Sequence, residues 1–524
     1  MPGRIKTFMM IVAINLATII DVFAQGRLEL VRSESYHIGK ETLLVDKPVY
    51  ARIKKLSNGD YFLMWQKNRI ASTIYYSISS DLKTWSPGKV LFSPSRINTV
   101  IGEDTRAYSS ADAAVLSNGD LIVAVSARAV KTYKVDSGYD WIVMRRSRDN
   151  GNTWEEEKKI YNGCTWEPFL YETPDSILSC YFTDATILHT NNKKGTSGTS
   201  VIYSKDMGET WESHGFGDKI RVCRQYKYTN AGVGVYTDQM PSFCLLDDGK
   251  TMFGFLEARL EENENSPNSV FKMSLVYGEY PWKGLGYDEP GPEDRVSNIC
   301  SGAAGYVGKF PCGEVLISCN IATRFSMKTG TRDARTFSGG TFEPEGWFQP
   351  FAEKGYWGSF EIISDDEVLA VIHSEETPAR IQFAKIFVNR EQAPRKEYSD
   401  SLYLGSEFED ASAKIKMKYD RGRLGIKAVR YDKNIRPGDD LVLKLASVNG
   451  NSEIRYCAQT GRIKKPKGVK AKITRMDDGY CLETSLKAKG KLYFKADLFQ
   501  DGSVDTFTGA KDDDPSTWIP VHLN

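Results

Sequence analysis

Ser147-Arg148-Asp149-Asn150-Gly151-Asn152-Thr153-Trp154 and Ser204-Lys205-Asp206-Met207-Gly208-Glu209-Thr210-Trp211 share one pattern, Ser-x-Asp-x-Gly-x-Thr-Trp. Each fixed residue has a physical task in a tight turn. The Asp carboxylate bonds nearby backbone N–H groups, Gly supplies a positive φ, and Trp packs its ring against neighbouring strands. A degenerate third copy, Ser79-Ser80-Asp81-Leu82-Lys83-Thr84-Trp85, lacks the Gly and is one residue shorter. Repetition at this spacing marks an array of like units.

The array is wider than these turns. An apolar run, a polar turn and a second apolar run recur six times. They span 49–65 around Ser57-Asn58-Gly59-Asp60, 111–125 around Ser117-Asn118-Gly119-Asp120, and 169–182 around Pro174-Asp175. The others span 242–256 around Asp247-Asp248-Gly249, 307–319 around Pro311-Cys312-Gly313, and 360–372 around Asp365-Asp366. Asn-Gly and Asp-Gly between β-rich runs are strong hairpin signals. Between the hairpins a Trp recurs, at Trp85, Trp154, Trp211, Trp282 and Trp347. The pattern predicts an all-β chain built as a six-bladed β-propeller of four-stranded blades. A plain β-sandwich lacks such self-similarity. The eight-residue turns resemble the Asp box of sialidase-like β-propellers.

The 524 residues leave room for a second, smaller domain. Residues 4–24 carry Arg4 and Lys6, an apolar run over 8–20, and Val22-Phe23-Ala24. This reads as a signal peptide over 1–24, cleaved near Ala24, and predicts an exported protein, periplasmic or secreted. Thirteen residues are too few to span a bilayer, so no membrane insertion is expected. The propeller is assigned to 25–395. A polar stretch, Arg390-Glu391-Gln392-Ala393-Pro394-Arg395, leads into 401–524, which alternates in β fashion around Asp477-Asp478-Gly479 and Asp501-Gly502. This part is read as a small C-terminal β-sandwich. Through Leu492-Tyr493-Phe494 and Thr506-Phe507-Thr508-Gly509 it resembles family 9 carbohydrate-binding modules.

Lys and Arg total 69 against 68 Asp and Glu, a balance that gives no bulk field for nucleic acid. Nine cysteines without a Cys-x-x-Cys, and only five His, point to no metal and no other cofactor. Cys457 and Cys481 could pair, and His189, His214 and His373 read as structural. A monomer is expected.

A propeller gathers the starts of its innermost strands and the ends of the strands that follow on one face, around the central channel. Strand starts supply Arg52, Asp112, Glu167, Asp238, Gln239 and Glu361; strand ends supply Gln66, Arg128, Asp184, Glu257 and Arg259. Charges so placed beside apolar strands fit a polar ligand site better than a core. Glu167 stands in Thr165-Trp166-Glu167-Pro168-Phe169, where an aromatic wall including Trp166 favours a protonated acid. Glu257 precedes Ala258-Arg259, and Arg259 is expected to keep it ionised. A protonated and an ionised carboxyl facing one site are what glycoside hydrolysis requires.

Tyr50-Ala51-Arg52, Trp166-Glu167-Pro168, Tyr171-Glu172-Thr173-Pro174-Asp175 and Met240-Pro241 through Phe255-Leu256-Glu257 resemble glycoside hydrolase family 93. That resemblance covers roughly residues 36–389. It implies a retaining exo-α-1,5-arabinanase with a carbohydrate substrate, Glu167 as acid/base and Glu257 as nucleophile, the swapped assignment staying open. Ala51 stands where that family has Pro, and Asp238-Gln239 where it has Pro-Gly. Two other readings use the same residues. A sialidase would clamp a carboxylate with Arg52, Arg259 and Arg324, although no Tyr-Ser pair opens the last blade. A non-catalytic propeller would bind glycan without turning it over.

Overall fold

Each of the six predicted hairpins forms two adjacent strands of one antiparallel sheet. The computed structural model describes residues 26–30, 36–133, 135–190, 195–212, 220–229, 232–259, 271–282, 291–292, 294–375, 380–398, 401–405, 411–448 and 450–523. The signal peptide and His214 therefore lie outside the described residues. Between residues 27 and 389 there are six antiparallel sheets. Their innermost strands are Val49–Lys55, Gly102–Val115, Thr165–Glu172, Gln239–Leu245, Ala303–Lys309 and Gly355–Ile362. These strands neighbour one another in sequence order, and the sixth lies against the first, so the sheets close into a ring. Arg27–Leu30 and Tyr36–Ile38 both pair with Arg380–Asn389, so the beginning of the chain completes the last blade. Closure by main-chain hydrogen bonds removes the open edges of a linear array.

The innermost strands share a feature the hairpin pattern did not announce. Each loses register once, within its first three residues except in Gly102–Val115, where the break comes at Ser110, and there two of its residues face one on the second strand. The first residue of each bulge is Tyr50, Ser110, Glu167, Met240, Ala304 or Trp357, and all six have φ between 47° and 59°. The second is Ala51, Ala111, Pro168, Pro241, Gly305 or Gly358. Small residues fit because this position is pressed between strands: a Cβ on Gly358 would sit 2.6 Å from the Val371 carbonyl oxygen. Proline is tolerated at bulges, where the ladder is already interrupted.

The repeated turns join third to fourth strands on the opposite face. Asp149 Oδ1 accepts the Thr153 N–H at 2.8 Å, and Asp206 Oδ1 accepts that of Thr210 at 2.7 Å. Ser147 and Ser204 each receive the glycine N–H of their own turn, Gly151 and Gly208. The shortened copy keeps the network: Asp81 Oδ1 accepts the N–H groups of Lys83 and Thr84, and Leu82 adopts φ 64° in place of a glycine. The Asn150 carboxamide meets the Ser57 hydroxyl of the neighbouring hairpin, so turns of adjacent blades are tied together on this face.

Residues 401–523 form two further antiparallel sheets, of five and six strands, stacked as a sandwich. Ile415, Met417, Ile426 and Leu482 from one sheet meet Leu443, Phe494 and Leu498 from the other in a shared core. The sandwich is docked on the closing blade. Asn389 and Tyr403 exchange two hydrogen bonds, Phe387 and Tyr403 stack at 4.0 Å, and Thr508 donates its N–H to buried Glu29. All nine cysteines are free, so Cys457 and Cys481, which lie on different sheets, do not pair. Among the described residues no helix is long and apolar enough to cross a membrane, and no cluster of three or more ligand-type side chains could hold a metal.

Trp211 is 2 % exposed in the core between blades, whereas Trp154 is half-buried against Phe62 and Tyr76. Trp211→Ala should lower unfolding free energy by about 3–5 kcal/mol, and Trp154→Ala by less. Urea titrations will read both. An unaffected Trp211→Ala would show that its turn does not anchor the blade.

Candidate active site

The bulges turn side chains into the mouth of the central channel. Tyr50, Ser110, Glu167 and Trp357, from four different bulges, line a cavity of about 240 Å³ together with Gln66, Arg69, Arg128 and Trp166. A non-glycine residue at positive φ is costly, of order 1–3 kcal/mol, and such strain clusters at functional positions. Glu167, at φ 50°, is the one acidic residue among the six.

A positive-φ bulge also frees an N–H that needs a partner. The partner comes from the end of the second strand in the preceding blade. Gln66 Oε1 accepts the Ser110 N–H at 3.0 Å, Thr183 Oγ1 accepts that of Met240 at 2.9 Å, and Asn320 Oδ1 accepts that of Trp357 at 3.1 Å. Glu257 occupies the same station: Oε2 accepts the Ala304 N–H at 2.5 Å, while Oε1 accepts from Gln239 Nε2 at 2.9 Å. It is a carboxylate where Gln66, Thr183 and Asn320 are neutral, and it is 4 % exposed.

Thr183 links the two carboxyls' surroundings. Its hydroxyl already receives the Met240 N–H, so its own proton goes to Glu167 Oε2, 2.6 Å away. Burial raises the Glu167 pKa, against the pull of Thr183, Arg128 and Arg52. Glu257 is pushed up to about 8, first by burial and then by the charge of Glu167, with Ala304 N–H and Gln239 acting downward. Burial and the charge of Glu167 thus both favour the protonated form of Glu257. The expectation that Arg259 holds Glu257 ionised is overturned: Arg259 forms no ion pair with it, and Gln239 and the Ala304 N–H are its donors.

The other sequence-derived positions separate by depth. Arg128 and Trp166 line the cavity, the guanidinium lying 4.7 Å from the Tyr133 ring and 5.6 Å from that of Trp166. Tyr236 stacks behind Trp166 at 4.8 Å. Arg52 lies below, under Tyr50 at 4.1 Å, donating to the Ala51 and Trp357 carbonyls and 3.5 Å from Asp112. Asp112 also accepts the Leu170 N–H and the Tyr306 hydroxyl. Glu361 is deeper still, paired with Lys54 at 3.1 Å, so these side chains plug the channel beneath the cavity. Asp184 accepts from Thr186 N–H and Ser200, and fully buried Asp238 is held by Arg295 and Gln225. Arg259 begins at the end of its strand with its N–H on the Tyr236 carbonyl, and Arg324 is exposed at a hairpin. Sequence reasoning missed Arg69, Ser110 and Trp357; the x-small pairs at strand starts, Ser110-Ala111 and Trp357-Gly358, were the available signal.

No family model matches the chain, and no curated protein does. Solved structures similar to it include a protein of unknown function from Dyadobacter fermentans, at 12% identity and TM-score 0.47, covering 69% of this chain and 98% of that one. A mutant Trypanosoma rangeli sialidase displaying trans-sialidase activity is similar at 10% identity and TM-score 0.43, over 93% and 88% of the two chains. A family 9 carbohydrate-binding module from Caldicellulosiruptor kristjanssonii, in complex with glucose, is similar at 16% identity and TM-score 0.20, over 25% and 83%.

The pKa of Glu257 has a consequence for stability. Its folded value, about 8, lies above the ordinary value of about 4.3. The proton it holds therefore stabilises the fold fully below about pH 4, and that stabilisation is lost as pH rises through about 8. Glu257→Gln stays neutral throughout. It should melt close to wild type near pH 5 and above wild type near pH 9. Parallel melting curves across that range would remove the ionisation penalty from Glu257.

Proposed function

We propose that this chain is an exported, retaining exo-glycosidase acting at the end of a polysaccharide, with an arabinose-containing glycan as substrate. One observation carries the reading: the charge of a strained, cavity-lining Glu167 raises the pKa of a buried Glu257, so that the two carboxyls favour unlike protonation states. Retaining hydrolysis needs that state, one carboxyl protonated and one ionised. The two donors to Glu257, the Gln239 amide and the Ala304 N–H, favour the ionised form that a nucleophile needs, against the burial that raises its pKa to about 8. Glu167 has Thr183 on one oxygen and lines the cavity.

In this reading Glu257 attacks the anomeric carbon while Glu167 protonates the departing glycosidic oxygen. A glycosyl–Glu257 ester results. Glu167, now a base, takes a proton from water as the water displaces the ester. The sugar specificity rests on the motif resemblance. Removal of end residues is supported by the cavity, at about 240 Å³ smaller than the roughly 300–1,000 Å³ of a drug-sized ligand site, and by the plugged channel beneath it.

A specific observation favours a second reading. Glu257 occupies a station filled elsewhere by Gln66, Thr183 and Asn320, so it could serve only as a cap in a non-catalytic glycan-binding propeller. A sialidase is supported less, since Arg52 is engaged beneath Tyr50 and two carbonyls.

Hydrolysis of arabinan, arabinogalactan and sialyl substrates, with product analysis, tests the proposal. Arabinose-containing products are expected, with the rate declining on the alkaline side near pH 8 as the pair loses its proton. Glu167→Gln and Glu257→Gln should each lower the rate by more than ~10², or about 3 kcal/mol. Glutamine keeps the Ala304 cap, so a fully active Glu257→Gln would make Glu257 structural. Sialic acid as the sole product would overturn the arabinan reading, and sugar binding without turnover would overturn the catalytic one.

A further inference from the structure

The two parts of the chain differ in charge. Residues 401–524 hold 23 Lys and Arg against 17 Asp and Glu, leaving 46 against 51 in the first 400 residues. The excess is concentrated on one surface. In the five-stranded sheet, Ile415, Met417, Leu424, Ile426 and Leu482 face the sandwich core. The alternate positions of the same strands face outward, and five of them are basic: Lys414, Lys416 and Lys418 on Ser412–Asp420, then Arg423 and Lys427 on Arg423–Tyr431. The edge strand Lys470–Met476 adds exposed Lys470 and Lys472.

Register makes this face costly. Lys416 stands directly opposite Lys427, and the same row continues through Glu483 to Lys472. Like charges directly opposite destabilise a sheet, and no packing contact requires them. Glu483 reaches Lys427 at 3.9 Å and, with Asp420 at the strand end, is outnumbered. Beside this row lies an open cleft of about 480 Å³. Lys418, Arg423, Lys470 and Lys472 line it, against two carboxylates, Asp420 and Glu483.

We infer that this outward sheet face binds an acidic polysaccharide, a chain bearing one carboxylate per sugar as in a polyuronate. Lys414, Lys416 and Lys418 recur along their strand roughly every 7 Å, and Lys416 and Lys427 lie roughly 5 Å apart across strands, a spacing suited to carboxylates along an extended polymer. Nucleic acid fits worse: stacking platforms are needed for bases, and the cleft's aromatic, Tyr398, already has the Lys418 ammonium 4.6 Å above its ring. A membrane surface would require apolar side chains between the cations; the rows through Lys416 and Lys418 hold none, and Val429 and Cys481 lie only in the row of Lys414. Such a surface would hold the propeller at its polymer, a consequence that rests on the catalytic proposal; the binding itself does not.

Native gels cast with polygalacturonate or with neutral arabinan read the binding of the full chain without hydrolysis. Retardation is expected in polygalacturonate, relieved by high salt as exposed charges are screened. Combined Lys416→Glu, Lys427→Glu and Lys472→Glu should weaken it at least tenfold, and the Lys→Gln version of the same three, which adds no charge, several-fold. Three reversals elsewhere on the sandwich, Lys433→Glu, Lys489→Glu and Lys511→Glu, should leave most of it. Glu167→Gln should bind as wild type does, so that loss of catalysis and loss of this surface are told apart. Equal mobility in both gels, retardation surviving in both triple variants, or tighter capture by single-stranded DNA or anionic vesicles would overturn the inference.

Discussion

The bulge at the head of every innermost strand is the constraint on which the candidate site depends. Six residues at φ near +50° break the ladder at one height around the ring. Each break does two things. It turns a side chain into the channel mouth, and it leaves an N–H without its ladder partner. The first effect builds a cavity from Tyr50, Ser110, Glu167 and Trp357. The second demands acceptors at the strand ends, met by Gln66, Thr183, Asn320 and Glu257. Backbone strain thus sets Glu167 in the cavity wall, and polar satisfaction sets Glu257 on the Ala304 N–H.

Burying two carboxyls in one region is unfavourable, and the surroundings offset only part of that cost. Glu257 has two donors and still titrates near 8. The opposite face of the propeller is arranged for stability instead. There, Asp149 and Asp206 take backbone N–H groups within their own turns, Trp211 fills the core between blades, and the first strands of the chain close the ring. Separating the two tasks by face lets the mouth be strained while the blades stay locked.

The sandwich shows a related division. Its inner faces carry an aliphatic and aromatic core, and its contact with the closing blade is specific, through Asn389 with Tyr403 and Glu29 with Thr508. Its outer face opposes Lys416 to Lys427. A whole-chain charge near neutrality conceals this surface, because the propeller half is acidic.

The six hairpins, the third-to-fourth-strand turns and the second domain were legible in the chain, because turn chemistry and strand alternation are local. Asp149 needs only its own next few residues to form its turn, and Leu82 adopts the glycine conformation without glycine. Glu167 and Glu257 were legible as candidates because strand starts and strand ends of a propeller share a face. Their relation was not. That Ala304, in the next blade, donates to Glu257, that Arg259 does not pair with it, and that Arg52 and Asp112 sit as a plug beneath the cavity follow from register between strands far apart in sequence. Sequence by itself determined the blades; only closure of the ring decided which side chains share a dry, charged space, because burial and mutual distance set the pKa of each carboxyl and neither is a property of a local segment.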